Sequence, residues 1–335
     1  MAEPMNGNWP LITVFGGSGF LGRHVVRALV KREWRVRIAC RRPNLAGHLQ
    51  PLGKVGQIHA VQANVRYPAS LREALLGADA AVNLVGVLRS AGAQGFDAVH
   101  VAGAKAVAQA AREAGVAKFV QMSAIGAEAG SASAYARSKA AGEAAIREIL
   151  PEAVVMRPSV LFGPEDDFFN RFAAMARVSP FLPLIGGGAT RFQPVFAGDV
   201  AEAVARALEG RATPGAIYEL GGPQIASFRD LLAFICKTTG RNRRLVSLSW
   251  GAARPVAFLT EASSAVTLGL FPDWLVLTRD QIELLRRDNV VSPEALAQSR
   301  TLQALGIEPD SFEAVAPTYL WRFRKTGQYE TRRLA

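Results

Sequence analysis

Cysteine and histidine are scarce: the 335 residues hold two cysteines, Cys40 and Cys236, and four histidines. Two cysteines make at most one bridge, so a disulfide framework is excluded, and no Cys/His cluster has zinc spacing. Long unbroken apolar runs are missing as well. Residues 4–22 carry no charge, but Asn6, Asn8, Pro10 and several glycines interrupt them, which suits neither a signal peptide nor a spanning helix. The start Met-Ala-Glu-Pro lacks the arginines of a transit peptide. Acid is in deficit: 28 Asp+Glu against 39 Lys+Arg, a net charge of +11. That balance favours phosphates, nucleic acid or an anionic membrane. Half of the residues are hydrophobic and 20% are charged, which excludes a disordered chain. The expectation is a soluble or peripherally attached protein in a reducing compartment.

What is present is an alternation of apolar runs and Ala-rich stretches. Leu11–Phe15, Arg35–Cys40, Ile58–Gln62, Ala80–Val85, Phe119–Met122 and Ala153–Met156 read as buried strands. Gly22–Lys31, Ser70–Leu76, Gly103–Ala114 and Ala134–Leu150 read as helices between them. Strands separated by helices predict an α/β fold, a doubly wound parallel sheet of Rossmann type. Residues 1–160 form the expected nucleotide-binding domain, completed by about 195–222 (Asp199–Leu208 as helix, Ile217–Leu220 as strand). Residues 161–335 form a smaller C-terminal α/β appendage that closes the cleft and meets partners or membrane. Within it, Phe162–Pro194 reads as loop with one helix near Asp167–Arg177.

Gly16-Gly17-Ser18-Gly19-Phe20-Leu21-Gly22 stands between the first strand and the first helix. Glycines at 16, 19 and 22 permit a tight turn, close approach of a pyrophosphate to backbone N–H groups, and tight helix–sheet packing. In this strand–turn–helix context the loop predicts dinucleotide binding. An NAD site usually carries Asp or Glu at the end of the second strand. Here that place reads Cys40-Arg41-Arg42-Pro43-Asn44, without an acid. Residues 31–66 hold eight basic side chains and one acidic. NADP(H) is therefore the expected cofactor, with Arg41 first and Arg42 second on the 2′-phosphate. Asn64 and Val65, ending the third strand, are expected beside adenine. Leu84 and Gly86, ending the fourth, are expected beside ribose and pyrophosphate.

Tyr135 and Lys139 stand at i and i+4, on one helix face. In short-chain dehydrogenases this pair lets lysine hold the nicotinamide ribose while tyrosine acts as acid or base. Those enzymes add a carbonyl-polarising hydroxyl after the fifth strand. In the run Gln121-Met122-Ser123-Ala124-Ile125-Gly126 that position is Ala124. Ser123 lies one residue early and is expected to contact cofactor instead, because a one-residue shift reverses the face.

These motifs resemble the extended or atypical short-chain dehydrogenase/reductase superfamily. A narrower resemblance is to the alpha-subcomplex subunit 9 family of respiratory complex I. It rests on Thr13–Phe15 with the glycine loop, Leu49–Gln57, Glu113–Phe119, Tyr135–Glu143, Pro158–Asp166, Phe169–Phe172 and Thr278–Gln281, over about residues 11–325. The resemblance implies a tightly held NADPH that is not turned over, and docking on the peripheral arm near the membrane and the quinone entrance. It carries the cofactor role to Gly16, Gly19, Gly22, Arg41, Tyr135, Lys139 and Pro158. Mitochondrial members are imported, whereas this sequence shows no import segment. The expected place is therefore the cytoplasmic face of a bacterial inner membrane.

Trp250–Thr278 is apolar and aromatic-rich, with Trp250, Phe258, Phe271 and Trp274. Arg241, Arg243, Arg244 and Arg254 precede or enter it, and Arg279, Arg286 and Arg287 follow. It reads either as an interfacial contact with anionic lipid or as a lid over the cleft. The basic patch is accounted for by an NADP phosphate and no nucleic-acid motif occurs, so no nucleic-acid partner is expected. Two functions remain open. One is an NADPH-binding, non-catalytic accessory or assembly subunit of complex I. The other is an NADPH-dependent reductase or epimerase, in ubiquinone biosynthesis for example, with Tyr135 and Lys139 as catalytic pair.

Overall fold

The computed structural model describes residues 9–90, 92–266, 276–327 and 329. Contacts divide the chain into two units, the first being Met1–Ser123, Ser138–Arg157 and Val200–Tyr218. Its elements run β1 (Leu11–Phe15), α1 (Phe20–Val30), β2 (Arg35–Cys40), β3 (Ile58–Gln62), α2 (Pro68–Leu75), β4 (Ala80–Asn83), α3 (Ala104–Glu113), β5 (Lys118–Met122), all but the first turn of α4 (Ala134–Ile149), and β6 (Val154–Pro158) up to Arg157. The sheet has seven strands, in the order Ile217–Leu220, β6, β5, β4, β1, β2, β3. β1 pairs in parallel with β2 and β4, β2 with β3, β4 with β5, and β5 with β6. This is the doubly wound parallel sheet expected. Its order reverses between β1 and β4, where such sheets open a crevice at their carboxyl ends.

Burial explains the periodicities. Ile12, Val14 and Phe15 of β1 and the apolar residues of β4 are buried on both faces, as parallel strands under two helical layers require. On α1, Leu21, Val25, Val26, Leu29 and Val30 form the buried stripe. α2, α3 and α4 bury Leu71, Leu75, Val107, Ala111 and Ile146 with Phe15 and Phe119 in one core. Asn83 and Gln121 are register partners on β4 and β5, and the Asn83 amide donates to Gln121 Oε1 at 2.9 Å. The side chain of Asn83 also accepts from the Val85 N–H, which shapes the turn leaving β4. α3 is preceded by a π-helical segment, Asp97–Gly103.

The second unit comprises Ala124–Arg137, Pro158–Asp199 and Glu219–Ala335. The expected loop at 162–194 contains a helix, Phe169–Val178, and also a strand, Phe181–Ile185, paired in parallel with Arg244–Leu248. Its core gathers Phe162, Phe169, Phe192, Phe228 and Phe312. Of the apolar segment 250–278, Trp250–Val266 is helical. Ala253 and Ala257 of that helix are buried with Ile185 and Ile282, while Phe258 and Leu259 are exposed. Phe271 and Trp274 lie outside the described residues. No described helix is long and apolar enough to cross a membrane.

Candidate functional site: a dinucleotide cradle

β1 delivers the chain at Phe15 into a turn that only glycine makes freely. Gly16 has φ +78°, and its N–H donates to Ala39 O at 3.0 Å. Gly19 precedes α1 and supplies no side-chain cap, so the first N–H groups of the helix remain available to an anion. A Cβ on Gly22 would stand 2.5 Å from Gly16 O and from the carbonyl of Gly17, all of it backbone. Helix and loop therefore approach as closely as two main chains allow.

A cavity of about 360 Å³ opens over this loop. Gly16, Ser18, Gly19, Phe20, Leu21, Gly22, Arg41, Asn64, Val65, Leu84 and Gly86, all candidates from sequence, line it. Gly17 and Arg42 are outside the lining. Asn64 and Val65 follow β3 rather than belonging to it. The Asn64 side chain accepts from the Arg66 N–H at 3.1 Å, a turn that presents the next basic residue. Arg66 itself lines the cavity, as do Val85, Val87, Gln94 and Val99. Val85 belongs to the run 83–86 expected beside the ribose and pyrophosphate. Sequence reasoning missed Arg66, Val87, Gln94 and Val99, although Arg66 stands beyond β3 much as Arg41 stands beyond β2. The lining has two arginines and no acidic side chain.

Gly86 also adjoins Lys139: a Cβ there would be 3.2 Å from the lysine Nζ. Lys139 is buried, and its ammonium donates to Met122 O at 3.5 Å. Burial pushes its pKa down to about 8, against the opposing charge of Glu143. Glu143 in turn makes a two-bond pair with Arg157. His100 completes this corner, unannounced by any pattern in the sequence. Its Nε2 accepts from the Val87 N–H at 3.0 Å, which leaves Nδ1–H to donate to Ser138 Oγ at 2.9 Å. Burial and then the Lys139 charge push the imidazole down to about 3, so it is neutral at pH 7. Ser123, directly after β5, is buried, and its Oγ has no hydrogen-bond partner among the described residues.

In the second unit, Tyr135 begins α4 next to an acid distant in sequence. The Asp280 carboxylate accepts from the N–H groups of Ala134 (2.6 Å) and Tyr135 (3.3 Å) and from Ser133 Oγ (2.9 Å). Thr278 and Gln281 form a capping box on Asp280's own helix, Arg279–Leu284. The run Thr278–Gln281 thus caps two helices. Burial, and then Asp280, push the Tyr135 phenol up to about 12. Pro158 ends β6 and its carbonyl accepts from the Ile125 N–H at 3.0 Å. Among the described residues no His/Cys/Asp/Glu group is placed to hold a metal.

Strand order, glycine loop and an acid-free cradle define a dinucleotide-binding protein built on the extended reductase plan. The model of the NAD dependent epimerase/dehydratase family matches residues 12–221. That membership supports nicotinamide dinucleotide binding. The mitochondrial NADH dehydrogenase [ubiquinone] 1 alpha subcomplex subunit 9 of Arabidopsis thaliana is 33% identical over 320 residues, 94% of this chain and 78% of that protein. The chain therefore belongs to the NAD dependent epimerase/dehydratase family and, within it, to the alpha subcomplex subunit 9 family. A ceramide reductase of Caulobacter vibrioides is 35% identical over 52% of this chain and 54% of that enzyme. Among solved structures, the Citrobacter sp. triphenylmethane reductase complexed with NADP(H) shares the fold, with TM-score 0.70 at 18% identity over 92% of this chain and 99% of that one.

Proposed function

We propose that this chain is an NADPH-holding accessory or assembly subunit of respiratory complex I. The observation that carries the reading is the match to subunit 9 of the Arabidopsis enzyme along nearly the whole chain. Arg41 and Arg66 in a lining without acid favour the 2′-phosphate of NADP over a free ribose hydroxyl. The loop residues Gly16, Ser18, Gly19 and Gly22 hold the pyrophosphate. Asn64, Val65, Leu84 and Gly86 flank adenine and ribose, and Lys139 with Tyr135 holds the nicotinamide ribose. Ser123 and Pro158 are assigned to the cofactor as well, and Arg42 is the second choice on the phosphate. Such a nucleotide supplies a hydride when bound; here its role is to stabilise the native state by mass action. Two features favour holding over turnover. Ala124 stands where a carbonyl-polarising hydroxyl belongs, and a phenol pushed up to about 12 is poorly matched to proton transfer near pH 7. The partners are complex I peripheral-arm subunits, at the cytoplasmic face of a bacterial inner membrane.

The Tyr135/Lys139 spacing and the kinship to a bacterial ceramide reductase favour a second reading, an NADPH-dependent reductase. Affinity purification from mildly solubilised native membranes, with mass spectrometry of protein and nucleotide together, separates the two. Complex I subunits with stoichiometric NADPH are expected. A free protein that exchanges nucleotide quickly and loses turnover in Tyr135→Phe would establish the reductase instead.

A further inference from the structure

His100 sits in the π-helical segment Asp97–Gly103, a form of helix found mostly as short bulges at functional sites. The segment packs against α4 at its closest: a Cβ on Gly142 would stand 2.1 Å from His100 O, so backbone meets backbone. Gly142 lies three residues after Lys139, on the same side of that helix. Main-chain contact therefore fixes where His100 stands relative to Lys139. The imidazole is buried and stacks on Phe96, with 5.6 Å between centroids and 18° between planes. Its Nδ1–H is committed to Ser138 Oγ, which leaves Nε2 as the acceptor for the Val87 N–H. Nε2 and the Lys139 Nζ converge on one residue. A Cβ on Gly86 would stand 3.5 Å from the first and 3.2 Å from the second. Gly86 and Val87 both line the dinucleotide cavity.

The type of residue at position 100 matters. Leucine or phenylalanine would fill the space but offer the Val87 N–H no acceptor, and lysine or arginine has none to offer. A carboxylate would accept that N–H, but it would also draw the Lys139 ammonium away from a ligand. A neutral imidazole, its tautomer set by Ser138, accepts without competing for the cation. We propose that His100 is a positioning residue for the nicotinamide half of the bound dinucleotide. Through the Val87 N–H it fixes Gly86 and Val87 beside Lys139, where the nicotinamide ribose is held. This rests on the reading that Lys139 holds that ribose. Neither of the two imidazole bonds reaches Arg41, Asn64 or Val65 at the adenine end, so the two halves of the ligand are separable by experiment.

The experiment is calorimetric titration of the full chain, stripped of nucleotide, with NADPH and with adenosine 2′,5′-bisphosphate. The bisphosphate keeps adenine and the 2′-phosphate but lacks the nicotinamide half. His100→Phe keeps a ring against Phe96 and removes both nitrogens. It should weaken NADPH by about tenfold, the effect of an N–H left without its acceptor, and leave the bisphosphate within about twofold of wild type. The fluorescence of bound reduced nicotinamide should fall in the same variant. His100→Gln, whose amide oxygen reaches the place of Nε2, should bring NADPH back to within about threefold of wild type. Ser138→Ala releases the Nδ1–H and should give a smaller loss in the same direction, because the tautomer is no longer set. Equal weakening of the two ligands by His100→Phe would make His100 a support of the fold alone and overturn the proposal, as would unchanged NADPH binding. A Lys139→Met variant that binds NADPH as wild type does would instead sink the reading of Lys139, and the proposal with it.

Discussion

Replacing Arg41 with alanine is expected to erase most of the preference for NADPH over NADH while leaving the fold intact. Arg41 is exposed at the end of β2, lines the cradle, and is engaged in no hydrogen bond or ion pair with any described residue. Its loss therefore leaves no protein group unsatisfied, and stability should change by less than about 0.5 kcal/mol. A charge-assisted bond to a phosphate is worth about 1.5–3 kcal/mol, so NADPH affinity should fall by about tenfold to a hundredfold. Arg66, the second cation of the lining, retains part of the attraction and pulls the effect toward the lower end. NADH, without the 2′-phosphate, should bind within about twofold of wild type. Arg42→Ala, outside the lining, should weaken NADPH less than Arg41→Ala does and leave NADH unaffected. The assay is calorimetric titration of protein stripped of nucleotide, with each cofactor and each variant. Equal weakening of NADPH and NADH by Arg41→Ala, or a larger effect from Arg42→Ala, would refute the placement of the phosphate beyond β2.

Three other perturbations follow from the geometry. Gly22→Ala drives a Cβ to 2.5 Å from the backbone of Gly16 and Gly17. It should cost about 1–3 kcal/mol and abolish the thermal shift caused by NADPH, whereas Gly47→Ala, with open space around it, keeps that shift. Asp280→Asn removes the anion from the start of α4. About 1–2 kcal/mol of stability should be lost, and the Tyr135 phenol should titrate lower in ultraviolet difference spectra taken against Tyr135→Phe; an unchanged titration would discount Asp280 as a cause. Lys139 titrates near 8 in the fold against an ordinary 10.5, so between those values the unfolded chain carries the extra proton. Raising the pH through that window should stabilise wild type relative to Lys139→Met by about 3 kcal/mol, and a flat difference across it would contradict the burial of the charged amine.

Much of the first unit is legible in the chain because its signals are local. A strand of β-branched residues, three spaced glycines and an amphipathic helix are decided within about 20 neighbouring residues, so β1, the loop and α1 follow from periodicity and backbone sterics. The basic end of β2 is legible for the same reason, since what stands one turn beyond a strand depends on the strand alone. Boundaries move where a side chain binds backbone. Asn64 turns the chain back to Arg66, so the expected end of β3 is a loop. The strand Phe181–Ile185 was hidden because Pro183 argues against pairing; its partner, Arg244–Leu248, lies about 60 residues away.

By itself, then, the sequence determined the doubly wound sheet, the glycine cradle and the basic, acid-free character of the nucleotide end. Those properties are set by side-chain type and by short-range geometry. Tertiary structure decided which basic residues share one space: Arg66 with Arg41 in the cradle. It also decided that Asp280 caps α4 across 146 residues of chain, and that His100 is neutral with its proton on Nδ1. Hydrogen-bond partners and desolvation depend on which distant segments pack together, and no local pattern encodes that choice.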